Sequence, residues 1–205
     1  IRDFKRISEP LSKFGATFKL NNSKNLPLKI TGSTSLRPIK FTENKGSAQV
    51  KSSVIFGAMR TDGATYIKAR KSRTHTEVMC KYLKLPLKVK KKKNYDLIQV
   101  EKVEEIKPLN YKIPSDISSG AFFIVLTALS NNSKLLIKNV NINPSRIGII
   151  TILKKMGVKI QFKNKKNYKG ELVADISITS TKKLKAINCP PKLNSAAIDE
   201  FLIIF

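Results

Sequence analysis

The sequence predicts an α/β (α+β) protein of inside-out design, with helices within and sheets without. Three observations predict it. The same order of elements, β-α-β-α-β-β, occurs twice along the chain. Two segments of helical length, 118–129 and 146–153, are apolar nearly all round, as in "AFFIVLTAL", which marks interior helices. Strand-length segments such as "SKLLIKNV" alternate in polarity, which marks sheets with one wet face.

From residue 39 the pattern predicts a strand over 39–42, a helix over 47–59 and a strand over 64–69. A helix over 72–83 and strands over 87–91 and 97–101 follow. The second copy begins with a strand from Asn110. It continues with a helix over 118–129, a strand over 134–140, a helix over 144–156 and strands over 159–162 and 175–179. "FGAMRTDGATYIKA" overlays "LTALSNNSKLLIKN" with a shift of 70 residues, and "SRTHTEVMCKYLK" overlays "SRIGIITILKKMG" with a shift of 73. Ser-Arg starts the second helix of both copies. "LSKFGATF" at 11–18 matches "LKKMGVKI" at 153–160 as part of a third unit, and a fourth begins at Lys185. The linker "EEIKPLNYKIPSD" sets the domain boundary, giving domains 1–109 and 110–205.

The 205 residues carry a formal net charge of +26, so anions are the expected partners. Thirty-three of the 40 basic residues are lysines, and only seven are arginines, the better readers of phosphate and base edges. The runs "KVKKKKN" at 88–94 and "KNKKNYK" at 163–169 fall where hairpin turns are expected and read as solvated loops. Small anions are therefore favoured over nucleic acid. No apolar run is long enough for a membrane helix. Cys80 and Cys189 lie far apart in unlike contexts, so a reducing compartment is expected and no disulfide. With one histidine and no cysteine cluster, the usual zinc spacings are absent.

Three places can carry chemistry. "GSAQVKSS" puts Ser47 and Gln49 at the polar start of an apolar helix, where first-turn N–H groups and the helix dipole favour an anion, and Lys51 can add charge. An ordinary serine N-cap explains the same residues. Ser72-Arg73 opens the next helix, where the guanidinium can clamp a phosphate or pair with Glu77 on the surface. In "NSAAIDEF", Asp199 and Glu200 occupy the first turn of a helix. They either complement its dipole or supply Asp199 as a general base.

"GSAQVKSS", "SRTHTE", "IPSDISSGAFFIV", "NINPSRIGIITILKKMG", "ELVADI" and "IDEF", in this order and spacing, resemble the 5-enolpyruvylshikimate-3-phosphate (EPSP) synthase family across essentially the whole chain. The resemblance implies an inside-out α/β barrel of the enolpyruvyl transferase type. It also implies transfer of the enolpyruvyl group of phosphoenolpyruvate to the 5-hydroxyl of shikimate 3-phosphate. Ser47, Ala48, Gln49, Ser72 and Arg73 then match the shikimate 3-phosphate site, with Gln49 also near phosphoenolpyruvate. Where many relatives have serine, Ala48 offers only its backbone. Asp199 matches the aspartate that binds the shikimate hydroxyls and accepts the proton. Arg2 aligns with the arginine of an Arg-Pro-Met motif that contacts phosphoenolpyruvate, although here the motif reads Arg2-Asp3-Phe4.

The family's Lys-Ser, Gly-Asn-Ala-Gly-Thr and Lys-Glu-Ser-Asp-Arg motifs have no counterpart in these residues. The expectation is therefore the middle of a protein roughly twice this long, inactive as a piece. No cofactor and no metal are implied, and a cytoplasmic monomer is expected. A UDP-N-acetylglucosamine enolpyruvyl transferase and a basic module like RNA 3′-phosphate cyclase are the competing readings.

Overall fold

The computed structural model describes residues 3–204. The chain divides between Pro108 and Leu109 into two compact units. In the first, helix α1 (Lys5–Ser12) leads into an antiparallel hairpin of β1 (Thr17–Asn21) and β2 (Asn25–Thr31). Then come β3 (Lys40–Glu43), α2 (Ala48–Ala58), β4 (Thr65–Arg70), α3 (His75–Tyr82), β5 (Leu87–Lys91) and β6 (Tyr95–Val100). The sheet order is β3-β4-β6-β5. Strands β3 and β4 are parallel, with Lys40 opposite Tyr66, and the other pairs are antiparallel, with Ile67 opposite Ile98.

Thr65, Ile67 and Ala69 of β4 point inward while their neighbours face solvent, as period-two alternation requires. The inward face meets Val54, Ile55 and Ala58 of α2 and Cys80 of α3. Each of the large residues in this cluster stabilises the unit by about 1.5–3 kcal/mol on burial.

The second unit holds α4 (Ile117–Leu129), β7 (Lys134–Asn141), α5 (Gly148–Lys155), β8 (Lys159–Tyr168) and β9 (Glu171–Thr179), with sheet order β7-β9-β8. The strand expected from Asn110 shrinks to a single parallel bridge between Ser115 and Val140. Ser115 donates its N–H to the Asn139 carbonyl at 2.8 Å and accepts from Asn141 at 3.0 Å. Pro114, just before it, has no N–H to extend the ladder. With Ser115 in the place of β3, the second sheet repeats the first. Where the fourth unit was expected, residues 180–190 form no strand. A 3-10 turn (Pro191–Leu193) and two four-residue helices, α6 (Asn194–Ala197) and α7 (Phe201–Ile204), follow.

Two expectations change. The lysine runs are largely strand: the first enters β5, the strand expected over 87–91, with only 92–94 outside it, and β8 runs past its expected end at 162 to include Lys163, Lys165 and Lys166. Both are edge strands, and lysines there oppose pairing with another sheet. The second change concerns α4, which buries Ile117, Ala121, Ile124 and Ala128. Phe122, Phe123, Leu126 and Leu129 are 62–64% exposed. Both cysteines are free. Among the described residues, no helix is long and apolar enough to cross a membrane.

Candidate active site

Because β3 and β4 run parallel, α2 and α3 both start beyond the same end of the sheet. Anions bind at that end of α/β sheets. Glu43, only 4% exposed, shapes the approach to α2 by accepting the N–H of Lys45 at 2.9 Å and of Gly46 at 2.7 Å. Gly46 has φ +72, and a Cβ there would lie 3.2 Å from the Lys71 carbonyl oxygen. A larger residue would thus push apart the two loops that lead into α2 and α3.

Ser47 caps α2, its Oγ accepting the Val50 N–H at 3.3 Å. Helix geometry leaves the amides of Ala48 and Gln49 without an intrahelical acceptor. The Gln49 Oε1 accepts from Arg6 Nη2 at 2.7 Å, which adds an α1 arginine to the group.

Helix α3 starts at His75, not at Ser72, so Ser72 and Arg73 lie in the loop before it. The Arg73 carbonyl is taken by Lys51 Nζ at 2.7 Å, and helical bonding begins with Val78 N–H to Thr74 at 3.0 Å. Lys51 therefore does not charge the mouth of α2. It is 1% exposed and forms an ion pair with Glu77 at 2.6 Å. Glu77 is itself buried, which overturns its reading as a surface partner of Arg73. The Ser72 Oγ is buried with no hydrogen-bond partner. Ser47, Ala48, Gln49, Ser72 and Arg73 are thus drawn to one end of the first unit.

The second unit assembles a different group. Asp116 caps α4, accepting from the Ser118 and Ser119 amides at 3.3 Å each. Arg146, from the loop before α5, donates Nη2 to Asp116 Oδ1 at 2.9 Å and to Ser118 Oγ at 2.6 Å. It donates Nη1 to Asp199 Oδ2 at 3.0 Å. Ser118 in turn donates to Glu200. Asp199 and Glu200 lie in the turn between α6 and α7 rather than in a helix's first turn, so the dipole reading fails and Arg146 holds Asp199 instead. Burial opposes ionisation of Asp116, but the Arg146 guanidinium and the Ser118 and Ser119 groups outweigh it and hold the carboxyl below its usual range.

Arg146, Asp116, Ser118 and Arg6 were not singled out from sequence. The repeat contained a signal for one of them, since the 73-residue shift sets Arg146 opposite Arg73. The N-cap of each unit's first long helix changes from neutral Ser47 on α2 to anionic Asp116 on α4. Arg2 lies outside the described residues.

A family profile described as EPSP synthase (3-phosphoshikimate 1-carboxyvinyltransferase) matches residues 2–204. The chain belongs to the EPSP synthase family. The 3-phosphoshikimate 1-carboxyvinyltransferase of Caldicellulosiruptor bescii is 39% identical to it over 99% of this chain and 47% of its own length. That of Ruthia magnifica subsp. Calyptogena magnifica is 41% identical over 100% and 46%. An EPSP synthase structure from Acinetobacter baumannii superposes with TM-score 0.84 at 34% identity, covering 99% of this chain and 45% of that one.

The enolpyruvyl transferase NikO of Streptomyces tendae shares the fold, with TM-score 0.64 at 12% identity over 89% of this chain and 43% of its own. The inside-out α/β fold expected from the repeats is that of the EPSP synthase family. The chain spans about half the length of the curated relatives it matches. These matches do not favour the UDP-N-acetylglucosamine or RNA readings.

Proposed function

We propose that the protein carrying this chain transfers the enolpyruvyl group of phosphoenolpyruvate to the 5-hydroxyl of shikimate 3-phosphate. The hydroxyl oxygen adds to C2 of phosphoenolpyruvate while C3 gains a proton. The tetrahedral intermediate then expels phosphate as its new C3 methyl group loses a proton, restoring the double bond. In this reading the Ser47 hydroxyl, the Ala48 backbone, Gln49, Ser72 and Arg73 hold shikimate 3-phosphate. Gln49 and Arg2 also meet phosphoenolpyruvate, and Asp199 binds the acceptor hydroxyls and takes the proton. The two units are the end of one domain and the start of the next, in a cytoplasmic monomer that needs no cofactor.

One observation carries the phosphate site. The buried, unpartnered Ser72 hydroxyl sits beside Arg73 where the loop to α3 meets the amide-lined start of α2. A buried hydroxyl without a partner is costly unless a ligand supplies one.

The test is phosphate release by the full-length protein supplied with both substrates. Turnover is expected only when both are present. Arg73→Ala should raise the KM for shikimate 3-phosphate roughly 10- to 100-fold, the value of a charge-assisted hydrogen bond pair. No release from this substrate pair, or release with UDP-N-acetylglucosamine in place of shikimate 3-phosphate, overturns the reading.

A further inference from the structure

The ion pair between Lys51 and Glu77 lies inside the first unit, with the two residues 1% and 7% exposed. It joins α2 to α3, and a second polar link lies beside it, Ser52 Oγ to Thr76 Oγ1 at 2.6 Å. The Lys51 ammonium, with three N–H donors, lies 2.6 Å from Glu77 Oε1 and at the same time donates to the Arg73 carbonyl at 2.7 Å. Removing charges from water is expensive, and a buried pair of this kind is seldom worth more to stability than apolar residues of similar size.

The second unit supplies the internal comparison. The 70-residue shift sets Lys51 opposite Ala121, and the 73-residue shift sets Glu77 opposite Ile150, which are 0% and 1% exposed. The latter shift also superimposes α3 and α5 end for end, His75 on Gly148 and Tyr82 on Lys155. Ser52 and Thr76 fall opposite Phe122 and Ile149. In the second unit Ala121, Ile149 and Ile150 belong to the apolar core and Phe122 is exposed, so neither the ion pair nor the hydroxyl link has a polar counterpart there. The fold does not require the ion pair.

We propose that Lys51 and Glu77 are positioning residues for the anion site, which rests on the phosphate-holding role proposed for Arg73. Lys51 fixes the Arg73 peptide through its carbonyl, and Glu77 fixes the Lys51 ammonium. Arg73 therefore leaves the backbone at one height beside the start of α2. The pair touches no ligand and acts through Arg73.

The experiment uses the full-length protein in four forms: unaltered, Lys51→Met with Glu77→Leu, Arg73→Ala, and all three changes together. Removing both charges at once avoids leaving one buried alone. Calorimetry reads binding of inorganic phosphate and of shikimate 3-phosphate, and thermal melting reads stability. The apolar pair should melt no lower than the unaltered protein yet bind both anions roughly tenfold more weakly. In the Arg73→Ala background the same two changes should add nothing, because they act through the missing side chain.

Unchanged phosphate binding by the apolar pair overturns the proposal, and so does an effect that persists in full without Arg73. An unaltered protein that binds no phosphate also overturns it. An unaltered protein that binds phosphate but not shikimate 3-phosphate refutes the substrate reading instead, and the phosphate comparison still decides the positioning role.

Discussion

Asp116 caps α4 as Ser47 caps α2, and its added charge changes what that helix start can hold. Arg146 is drawn to Asp116 and Asp199, so its positive charge is spent on carboxylates of the protein itself. The corresponding place beside Arg73 has a neutral cap, which suits an incoming anion. Asp116→Asn keeps the cap and removes the charge. Because its folded titration is depressed, the carboxylate contributes stability that is present above its ordinary range and lost as pH falls through the depressed one. The Asn variant should therefore melt lower than the unaltered protein near neutral pH, by less than ~1 kcal/mol for a half-exposed pair. The gap should close in strong acid, and melting curves across pH would show a constant gap if the charge were irrelevant.

Cys80 provides a second check. Burial first and Glu77 second push its thiol up to about 11. A thiol reagent should modify half-buried Cys189 well before Cys80, and equal rates in an intact-mass time course would contradict the burial.

The approach of α5 to α6 explains how a segment with little helix of its own, 194–204, is held near Arg146. A Cβ on Gly148 would come 2.6 Å from the Ala196 carbonyl carbon and 2.8 Å from the Ala197 Cβ, and backbone atoms cannot step aside. Gly148→Ala should therefore lower stability by about 1–3 kcal/mol, the usual cost of overpacking. It should also lower activity by displacing Asp199. Urea titrations of both variants check this, and Gly32→Ala, with nothing within 4 Å, should stay within about 0.5 kcal/mol of the unaltered protein.

The helices themselves were legible: the ranges 47–59 and 144–156 became Ala48–Ala58 and Gly148–Lys155. Their apolar content survives local polarity. The strand over 87–91 was legible too, since it became β5, but the extension of β8 through 163–168 was not, because an edge strand needs little apolar content and its charges imitate a loop. The site was legible in part for a related reason. Ser47, Gln49, Ser72 and Arg73 stand at helix approaches, but the burial of Lys51 depends on Glu77, 26 residues away, and no local pattern encodes it.

The lysines and the bare face of α4 describe the chain's two kinds of surface. Basic edge strands oppose sheet-to-sheet pairing, and a net charge of +26 with only seven arginines favours anions in general over base readout. On the other side of the balance, Phe122, Phe123, Leu126 and Leu129 form an apolar face more than 60% exposed, a feature that marks a surface for burial against another layer. Relatives of about twice the length have more chain with which to cover such a face. The 205 residues expressed by themselves should therefore be inactive, bind a hydrophobic dye and self-associate. Phe122→Ser with Leu126→Ser should reduce both the dye signal and the association. In the full-length protein the same two changes should instead destabilise, by about 2–5 kcal/mol for each large side chain lost from a packed layer. Denaturant melts of the full-length pair decide the matter, since unchanged stability there would mean that α4 keeps its aromatic face in water.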